Sequence, residues 1–451
     1  MTGINIPENW LILGFDDVFC QVSTSGKKVK SADTLTEGEF PVIDQGRSFI
    51  SGYFNDSDLV VSESKPLIIF GDHTREIKWI DFPFIPGADG VQVLSSHPEM
   101  SARYFYYFLR NLPIESRGYA RHFKVVKEAA YLVPPLAEQA RIAAKLDELL
   151  IQVDTLAERF SAIRALLKRF RQSVLSSATS GRLTEVWRAY RTEDKDILAE
   201  QVITDGKFPE SWEMRPLKTI AARIEQGWSP KCESVPARYD EWAVIKTTAI
   251  QPITFEPSEN KKLPTALPPR PELTINKGDI LITRAGPRSR AAICCYVRTT
   301  RSKLMICDKA YRFRTTEEDF SGLLLCYLLN SPQYVRTLDG LKTGISESGV
   351  NLTMRKFQEL ELPLPPREEQ TEIVRRVEEL FAFADQLEAK VASAKNRIDK
   401  LTQSILTKAF RGELVPQDPN DEPASALMAR IKNQRTATPK AKRGRRAATP
   451  S

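Results

Sequence analysis

Histidine and cysteine, the residues that most often bind metals or form cross-links, are scarce in this sequence of 451 residues. It contains three scattered histidines and six cysteines, and no two cysteines form a C-x-x-C pair. Neither a zinc site nor a disulfide framework is therefore expected. No window approaches the ~18 uncharged apolar residues of a membrane span, and the N-terminal segment lacks the basic and apolar regions of a signal peptide. We expect a cytoplasmic protein.

Sequence motifs of catalytic sites are also missing. There is no G-x-x-x-x-G-K-[ST] loop for ATP phosphates and no G-x-S-x-G nucleophile elbow. The Pro-Pro pairs lack the preceding Asn or Asp and the following aromatic residue of the amino-methyltransferase tetrapeptide. These absences disfavour a self-sufficient nuclease or methyltransferase.

Two adjacent pairs could be mistaken for reactive sites. Asp72 and His73 are neighbours, and neighbours on a strand point to opposite faces. A polar loop that contacts a ligand or positions its own backbone is therefore favoured over metal binding or acid–base catalysis. Cys294 and Cys295 lie in an apolar run, and we interpret them as small buried hydrophobic residues.

Positive charge is concentrated at the C-terminal end of the chain. The net charge is +7, and residues 430–451 contain eight Lys or Arg and no acid, so the first 429 residues carry −1. This end is rich in Pro, Ala and Thr and has little to bury, which predicts a disordered basic tail. Its role is open between solubility and a loose, sequence-independent attraction to phosphates.

An internal repeat divides the chain, which is too long for one core of roughly 250 to 300 residues. Residues 134–183 match residues 365–414 without a gap, and fifteen of fifty positions are identical. Each copy begins with the string PP-x-x-EQ, and a P-E-x-W string ending at Trp10 or Trp212 precedes each half. Each half therefore runs from P-E-x-W through a variable block to PP-x-x-EQ and a helical arm.

Both arms carry apolar residues at alternating steps of four and three over more than four heptads, which indicates a coiled-coil seam. Two matched seams predict that the arms pair as one antiparallel, intramolecular coiled coil. The alternative is that each arm packs on its own domain or on a separate partner. The predicted core residues are Ile142, Leu149, Leu156, Ile163, Phe170, Ile373, Leu380, Leu387, Ile398 and Leu401.

The variable blocks, 1–133 and 208–364, are expected to be compact α/β (α+β) domains. Short β-rich runs such as KPLIIFG, WAVIKT, GDILITR and AAICCYV are separated by Gly and Pro, as expected of strands and turns. Each block ends with a predicted helix, at 102–111 and at 322–331. The two blocks thus share a plan while their sequences differ.

Loops after the predicted strands carry basic and hydroxyl residues that suit nucleic acid. Arginine can bind guanine edges through two hydrogen bonds, and hydroxyl groups bind phosphates. Ordinary solvated surface loops remain the alternative. The candidate DNA-binding residues are Lys27, Lys28, Lys30, Arg47, Ser48, His73, Thr74 and Arg75 in the first block, and Trp228, Ser229, Lys231, Lys246, Thr247, Arg284, Arg288, Arg290, Lys342 and Ser346 in the second.

Along nearly its whole length the chain resembles the specificity subunits of type I restriction-modification systems. The resemblance lies in the repeated P-E-x-W and PP-x-x-EQ strings, in residues 409–431, and in the strings of residues 41–74 and 226–290. It implies a noncatalytic DNA reader whose two target recognition domains each read half of an asymmetric site, related by a pseudo-twofold repeat. The coiled coil would set the spacer between the half-sites.

The resemblance also implies partners. Two methyltransferase subunits would dock on the two halves and restriction-translocation subunits would join them, with S-adenosylmethionine, ATP and magnesium bound by those partners and no cofactor bound by this chain. The basic tail is not part of the family pattern. The competing hypothesis is a coiled-coil scaffold with two protein-binding modules and no DNA contact.

These interpretations give the following expected domain boundaries: a first recognition domain at 1–133, a first arm at 134–183, a linker at 184–207, a second recognition domain at 208–364, a second arm at 365–414, a C-terminal extension packed on the scaffold at 415–429, and the basic tail at 430–451.

Overall fold

The computed structural model describes residues 6–62, 66–88, 90–115, 118, 120–191, 208–316, 320–344 and 347–437. The helices are α1 (Phe15–Val18), α2 (Ala102–Asn111), α3 (Phe123–Glu128), α4 (Leu136–Thr179), α5 (Glu185–Arg191), α6 (Leu217–Ile220), α7 (Gly322–Leu329), α8 (Pro332–Leu341), α9 (Met354–Gln358), α10 (Arg367–Ala409) and α11 (Ala424–Ala437).

The strands of the first variable block are β1 (Leu11–Leu13), β2 (Phe19–Val22), β3 (Phe40–Ile43), β4 (Gly52–Phe54), β5 (Leu67–Gly71), β6 (Ile77–Ile80), β7 (Ile85–Pro86), β8 (Val91–Ser96) and β9 (Tyr131–Val133). Those of the second are β10 (Glu213–Pro216), β11 (Glu225–Gln226), β12 (Ala243–Ile245), β13 (Asn260–Lys262), β14 (Ile280–Thr283), β15 (Ala285–Gly286), β16 (Cys294–Tyr296), β17 (Leu304–Met305), β18 (Ala310–Phe313), β19 (Lys342–Thr343), β20 (Val350–Leu352) and β21 (Glu361–Leu364).

The chain folds as two compact units, one of Met1–Phe160 with Ser393–Ser451 and the other of Ser161–Ala392. The boundary falls inside both long helices, α4 and α10. Each unit therefore contains one variable block together with one end of each long helix.

The two variable blocks have the same sheet order. In the first block, a four-stranded sheet runs β2-β8-β5-β6, a three-stranded sheet runs β4-β3-β7, and β1 pairs with β9. In the second, the corresponding sheets run β11-β18-β14-β16, β13-β12-β17 and β10-β21, and a further sheet β15-β20-β19 is added. In the two corresponding three-stranded sheets, the central strand pairs in parallel with one neighbour, β3 with β7 and β12 with β17. The repeat therefore extends into blocks whose sequences differ.

The helix predicted at the end of each block forms and packs on the four-stranded sheet, but it does not end the block, because α3 follows α2 and both α8 and α9 follow α7. Ser101 and Ser321 cap α2 and α7, since each hydroxyl accepts a hydrogen bond from the amide three residues later. Phe105 of α2 packs on Phe19 of the sheet, with ring centres 5.7 Å apart, and Leu325 of α7 belongs to the same core as Ile280 and Ile282 of β14. Burial of these apolar side chains stabilises each block by roughly 1.5 to 3 kcal/mol per side chain.

The repeated strings bind each other within each unit. Trp10 donates its indole N–H to Oε2 of Glu138 at 3.0 Å, and Trp212 does the same to Glu369 at 3.0 Å. The glutamine that follows each glutamate is buried as well. Gln139 Oε1 accepts from the Ser101 amide at 3.0 Å, and Gln370 Oε1 accepts from the Ser321 amide at 2.8 Å. The strings thus fasten the start of each block, and the start of α2 or α7, to a long helix.

Glycine ends each arm because there is no room for a side chain. Gly181 and Gly412 have φ values of 80° and 74°, a left-handed conformation that favours glycine. A Cβ at Gly181 would lie 2.5 Å from Pro209 Cγ, and one at Gly412 would lie 2.6 Å from Pro7 Cγ. Each arm therefore ends against the proline of a P-E-x-W string.

The two long helices pair in antiparallel fashion, as predicted. In one unit, Ile142, Leu146 and Leu150 near the start of α4 share a core with Leu406 and Ala409 at the end of α10. In the other, the end of α4 packs on the start of α10, through Val174, Ala178, Ile373 and Val377. Arg171 also pairs with Asp385 at 2.5 Å and with Glu388 at 2.8 Å.

The predicted seam is wrong at two positions. Ile142, Ile373 and Ile398 are buried, and Leu149, Ile163, Phe170, Leu380 and Leu387 are half-buried. Leu156 and Leu401, however, are 41% and 49% exposed. A 3.6-residue helix turns away from a strict 3.5-residue repeat by about 20° per heptad.

In this part of the helix pair the inward positions of α4 follow the 3.6-residue period. They run 142, 146, 150 and 153, so Leu150 is buried in place of Leu149, and Leu156 falls to the side. In α10 they run 398, 402, 406 and 409, which leaves Leu401 outside.

The C-terminal extension packs on its own unit. Leu427, Met428 and Ile431 join the core that contains α2 and the start of α4, and Arg141 pairs with Asp421 at 2.5 Å. Because α11 continues to Ala437, the prediction of a disordered tail is wrong for residues 430–437. The prediction counted basic residues and overlooked the apolar face of this helix. Residues 438–451 lie outside the described residues.

Part of the expected linker 184–207 is also ordered. Residues 185–191 form α5, whose Arg188 donates to the carboxylate of Glu369. Residues 192–207 lie outside the described residues.

Candidate nucleic-acid interface

A buried lysine forms hydrogen bonds to the backbone of the β3–β4 loop of the first block, residues 44–51. Lys78 of β6 is 6% exposed, and its Nζ donates to the carbonyl oxygens of Asp44 at 2.8 Å and Ser48 at 2.6 Å. A longer contact reaches Phe49 O at 3.4 Å, and Asp44 Oδ1 lies 3.7 Å from Nζ. Burial lowers the pKa of Lys78 from its ordinary value, and the Asp44 carboxylate opposes this shift.

Neighbouring turns close around the same loop. Gln45 Oε1 accepts from the His73 amide at 3.0 Å, and Gln45 O accepts from Thr74 Oγ1 at 2.5 Å. A Cβ on Gly71 would lie 3.0 Å from Gln45 Cβ and 2.3 Å from Thr74 Oγ1. The loop backbone is therefore confined on several sides.

Five candidate residues of the first block lie together around this loop. Arg47 at its tip is 95% exposed, with Nε 4.0 Å from Glu76 Oε1, and Ser48 beside it is exposed. His73, Thr74 and Arg75 form the turn between β5 and β6. The Arg75 guanidinium donates to Ile114 O at 2.8 Å, so this side chain is directed towards its own domain.

The three candidate lysines near the N-terminus lie beside the same three-stranded sheet. Val29 donates its amide to Pro86 O at 3.1 Å, which places the segment next to β7. Lys28 and Lys30 on either side of it are exposed. Lys27 donates to Val60 O at 2.6 Å, so its ammonium stabilises a local turn.

The corresponding loop of the second block follows β12 and is held by Arg290. One guanidinium nitrogen of Arg290 donates to Thr247 O at 2.8 Å and to Ile250 O at 2.9 Å, and another donates to Gln251 Oε1 at 3.3 Å. Lys246, at the start of this loop, lies 3.5 Å from Glu259 Oε2. Thr247 contributes its carbonyl group to the Arg290 contact.

The other two arginines of the TRAGPRSR string also bind their own domain. Arg284 donates to Asp308 O at 3.0 Å, and its guanidinium carbon lies 5.7 Å from the centre of the Tyr311 ring. Arg288 pairs with Asp339 at 3.2 Å and with Glu347 at 3.1 Å. Lys342 donates to Asp339 Oδ1 at 2.8 Å. This basic cluster is partly neutralised by acidic neighbours.

A third group of candidates lies near β11. The Arg270 guanidinium carbon stacks 4.3 Å from the centre of the Trp228 ring. Ser229 hydrogen-bonds to Asp308, which also accepts from Arg284, so Ser229 and Arg284 lie close together. Lys231 is exposed, and Ser346 lies outside the described residues.

Sequence reasoning missed two polar residues that organise the loop of the first block, the half-buried Gln45 and the buried Lys78. A signal for Lys78 existed, because it alternates in phase with Ile80 in the strand IKWI and therefore belongs to the buried face. The contacts of Gln45 depend on residues 28 and 29 positions away and left no local signal.

The two pairs that could be mistaken for reactive sites have structural roles. Asp72 is buried and its Oδ1 accepts from the Phe123 amide at 2.8 Å, so it positions backbone as expected. Cys294 and Cys295 are both fully buried, and burial raises the pKa of each thiol. The described residues include no group of three or more His, Cys, Asp or Glu that could hold a metal ion. None of the described helices is long and apolar enough to span a membrane.

Comparisons with known proteins converge on one family. Residues 209–394 match the family model of the type I restriction modification DNA specificity domain. The chain is 30% identical over 466 residues to the type I restriction enzyme EcoBI specificity subunit of Escherichia coli, covering 96% of this chain and 94% of that protein. It is 28% identical over 480 residues to the EcoKI specificity subunit of E. coli K12, covering 97% and 98%.

Two further similarities either cover less of the chain or have a lower sequence identity. The EcoEI specificity subunit of E. coli is 32% identical over 281 residues, which cover 56% of this chain and 47% of that protein. A solved chain, from a study of complex assembly and conformational transition of the type I R-M system, superimposes with a TM-score of 0.53. That match covers 91% of this chain and 100% of the other at 16% identity, which supports the fold.

Proposed function

The chain belongs to the family of type I restriction enzyme specificity subunits, and we propose that each of its two variable blocks reads one half of a bipartite, asymmetric DNA site. As a member of this family it is the noncatalytic, DNA-specificity component of a larger restriction-modification enzyme. The observation that carries the proposal is the common sheet order of two blocks whose loops differ. Two recognition domains that share one architecture but differ in their loops suit a DNA site with two different halves.

Within each block, exposed polar residues around the loop after β3 or β12 form the surface that faces DNA. In the first block these are Arg47, Ser48, Lys28 and Lys30. Arg47 carries the greatest potential for base contact because its exposed guanidinium extends from a confined loop, and arginine can donate two hydrogen bonds to guanine. The exposed lysines suit phosphates, since ammonium groups attract them without regard to sequence.

In the second block the same surface combines Lys231, Lys246 and Thr248 with the TRAGPRSR cluster. Arg284 and Arg288 already bind Asp308, Asp339 or Glu347. Contact with DNA through these arginines requires an exchange of partners, whereas Lys231 is exposed. The lysine is therefore the stronger candidate for phosphate contact.

The paired helices set the number of base pairs between the half-sites and bind two methyltransferase subunits. Large apolar side chains on their outer faces support a protein-binding role: Ile151, Leu166 and Phe383 are 64%, 59% and 54% exposed. Isolated surface hydrophobic residues are common, and here each unit exposes at least one large apolar side chain on a long helix that a partner subunit could cover. Restriction-translocation subunits complete the assembly, and S-adenosylmethionine, ATP and magnesium bind to the partner subunits.

The test is to express the full chain with its methyltransferase partner and to map adenine methylation across a genome. The expected result is one asymmetric motif with two short specified segments and a fixed spacer. Methylation without sequence preference would contradict the proposal.

A bandshift assay distinguishes the proposed DNA reader from the competing function, a scaffold with two protein-binding modules. The chain with its methyltransferase partner is mixed with a labelled duplex that contains the mapped site, in the presence of excess competitor DNA. Retention of the specific duplex supports the reader, and absence of any shift supports the scaffold.

A further inference from the structure

A cationic side chain holds the equivalent loop in both variable blocks, the buried Lys78 in the first and the half-buried Arg290 in the second. In the first block, Lys78 donates to two carbonyl oxygens of the loop after β3, at 2.8 and 2.6 Å. In the second, Arg290 donates to two carbonyl oxygens of the loop after β12, at 2.8 and 2.9 Å. Strands β3 and β12 are equivalent, because each is central in its three-stranded sheet and has one parallel and one antiparallel neighbour.

The two cations come from the same stretch of the fold, the segment after β5 or β14 that leads into and forms the edge strand, but not from the same position in it. Lys78 lies on β6, the edge strand that pairs with β5. Arg290 lies in the connection between β14 and β16, and β16 is the edge strand that pairs with β14. The residues around them, EIKWI and PRSRA, are unrelated. The same kind of bonding to the loop carbonyl groups is thus achieved by a lysine in one block and by an arginine from a different position in the other.

The bonding of these cations argues against direct contact with DNA. An ammonium has three N–H donors, and Lys78 has three carbonyl oxygens within reach, the third being Phe49 O at 3.4 Å. Its side chain is also only 6% exposed. Arg290 directs its terminal nitrogens to Thr247 O, Ile250 O and Gln251 Oε1. Both groups therefore act on the loops rather than on phosphates.

The loops so held present exposed side chains from a confined backbone. In the first, Gln45 is bound by the His73 amide and the Thr74 hydroxyl, while Arg47 at the tip is 95% exposed. In the second, Thr248 Oγ1 donates to Glu259 at 2.6 Å and the Lys246 amide donates to Glu259 O at 2.9 Å. A fixed backbone reduces the conformational entropy lost when such a loop binds its target.

We propose that Lys78 and Arg290 are positioning residues that fix the loops after β3 and β12 in the conformation that reads DNA, one loop for each half-site. This inference rests on the proposed function of the chain as a two-part DNA reader. It adds which loop of each block reads the bases and which residue holds that loop.

The experiment uses the full chain assembled with its methyltransferase partner. Lys78→Met and Arg290→Met remove the charge and the donors while keeping a long side chain. Initial methylation rates are measured on the cognate duplex and on duplexes with a single base change in either half-site. We expect Lys78→Met to lower discrimination by roughly tenfold in one half-site, since one mismatched base pair typically changes binding by about that factor, and to leave the other half-site unchanged.

Arg290→Met is expected to show the reverse pattern. Lys78→Arg is expected to restore part of the lost discrimination, because a guanidinium can also donate to carbonyl oxygens. Lys124→Met and Lys218→Met serve as matched controls, since both lysines are exposed and form surface ion pairs, with Glu128 and Glu359. Thermal unfolding of every variant is measured in parallel.

The outcomes separate the two levels of the proposal. If the wild-type complex does not discriminate between sequences, the proposed function fails. If the wild type discriminates and both methionine variants keep full discrimination, or if rates fall equally on all duplexes, the positioning role is overturned. Should Lys78→Met fail to fold, Gln45→Ala removes the acceptor of the His73 amide, and unchanged discrimination in that variant overturns the inference for the first loop.

Discussion

The buried glutamates of the two PP-x-x-EQ strings hold the same place in the repeat but have different electrostatic surroundings. Glu138 is fully buried and accepts hydrogen bonds from two neutral groups, the Trp10 indole and the Gln417 amide. Glu369 accepts from Trp212 and Thr184 and also pairs with Arg188. Burial raises the pKa of the Glu138 carboxyl above its ordinary value of 4.5, although the Trp10 hydrogen bond lowers it.

The raised pKa of Glu138 predicts a pH dependence of stability. Between the ordinary and the raised pKa, the folded state binds a proton that the unfolded state has released, so the free energy of unfolding falls as pH rises through this interval. Glu138→Gln keeps an acceptor for Trp10 and removes the titration. We expect the stability of the wild type relative to this variant to decrease above about pH 4.5. Urea unfolding at several pH values measures this, and a constant difference would contradict it.

The same substitution in the second repeat should have a different effect. Glu369→Gln removes the carboxylate partner of Arg188, whose side chain is only 19% exposed. Loss of one member of a buried ion pair is expected to lower the free energy of unfolding by about 2 to 4 kcal/mol at pH 7. Urea unfolding of the two variants side by side is the check, because Glu138→Gln should change stability by less than about 1 kcal/mol.

At the scale of elements, the long helices are buried along a stripe that only partly follows the heptad pattern. Val153 is 6% exposed, whereas Leu156, three residues further along α4, is 41% exposed. The difference arises because the 3.6-residue helix turns Leu156 out of the stripe. The helix pair therefore depends on Val153 more than on the larger leucine.

Lysine substitutions test this arrangement. Val153→Lys places an ammonium where water is excluded, and we expect a loss of about 3 kcal/mol in the free energy of unfolding. Leu156→Lys should cost less than about 1 kcal/mol, since a lysine at a half-exposed position can extend its amine into water. Chemical denaturation followed by circular dichroism provides the measurement. Equal losses at both positions would show that the two side chains are equally buried in solution.

At the scale of the whole molecule, two blocks of one architecture are attached to the helices by the same hydrogen bonds. A block should therefore be exchangeable if those bonds are kept. Replacing residues 213–364 by the equivalent segment of a relative preserves Trp212 and its bond to Glu369. We expect methylome sequencing to report one changed half-site and one unchanged half-site. Changes in both halves would show that the blocks do not read DNA independently.

The sequence by itself determined the organisation of this protein. The gap-free repeat indicated two halves, the apolar periodicity indicated two paired helices, and residues 102–111 form α2 over the predicted span. These features depend on neighbours along the chain, so periodicity, Pro-Pro pairs and cap residues record them. The P-E-x-W and PP-x-x-EQ strings likewise marked the family before the structure explained them.

Only the tertiary structure decided which side chains are available at the interface. Arg290 and Arg47 are both basic loop residues in sequence. Arg290, however, donates hydrogen bonds to carbonyl groups of its own domain, whereas Arg47 is 95% exposed. The stability of α11 also depends on its apolar residues meeting a core built from α2 and the start of α4. Such contacts join residues that are tens to hundreds of positions apart. They cannot be predicted from the local sequence, because the burial of a side chain depends on the residues that surround it in the folded protein.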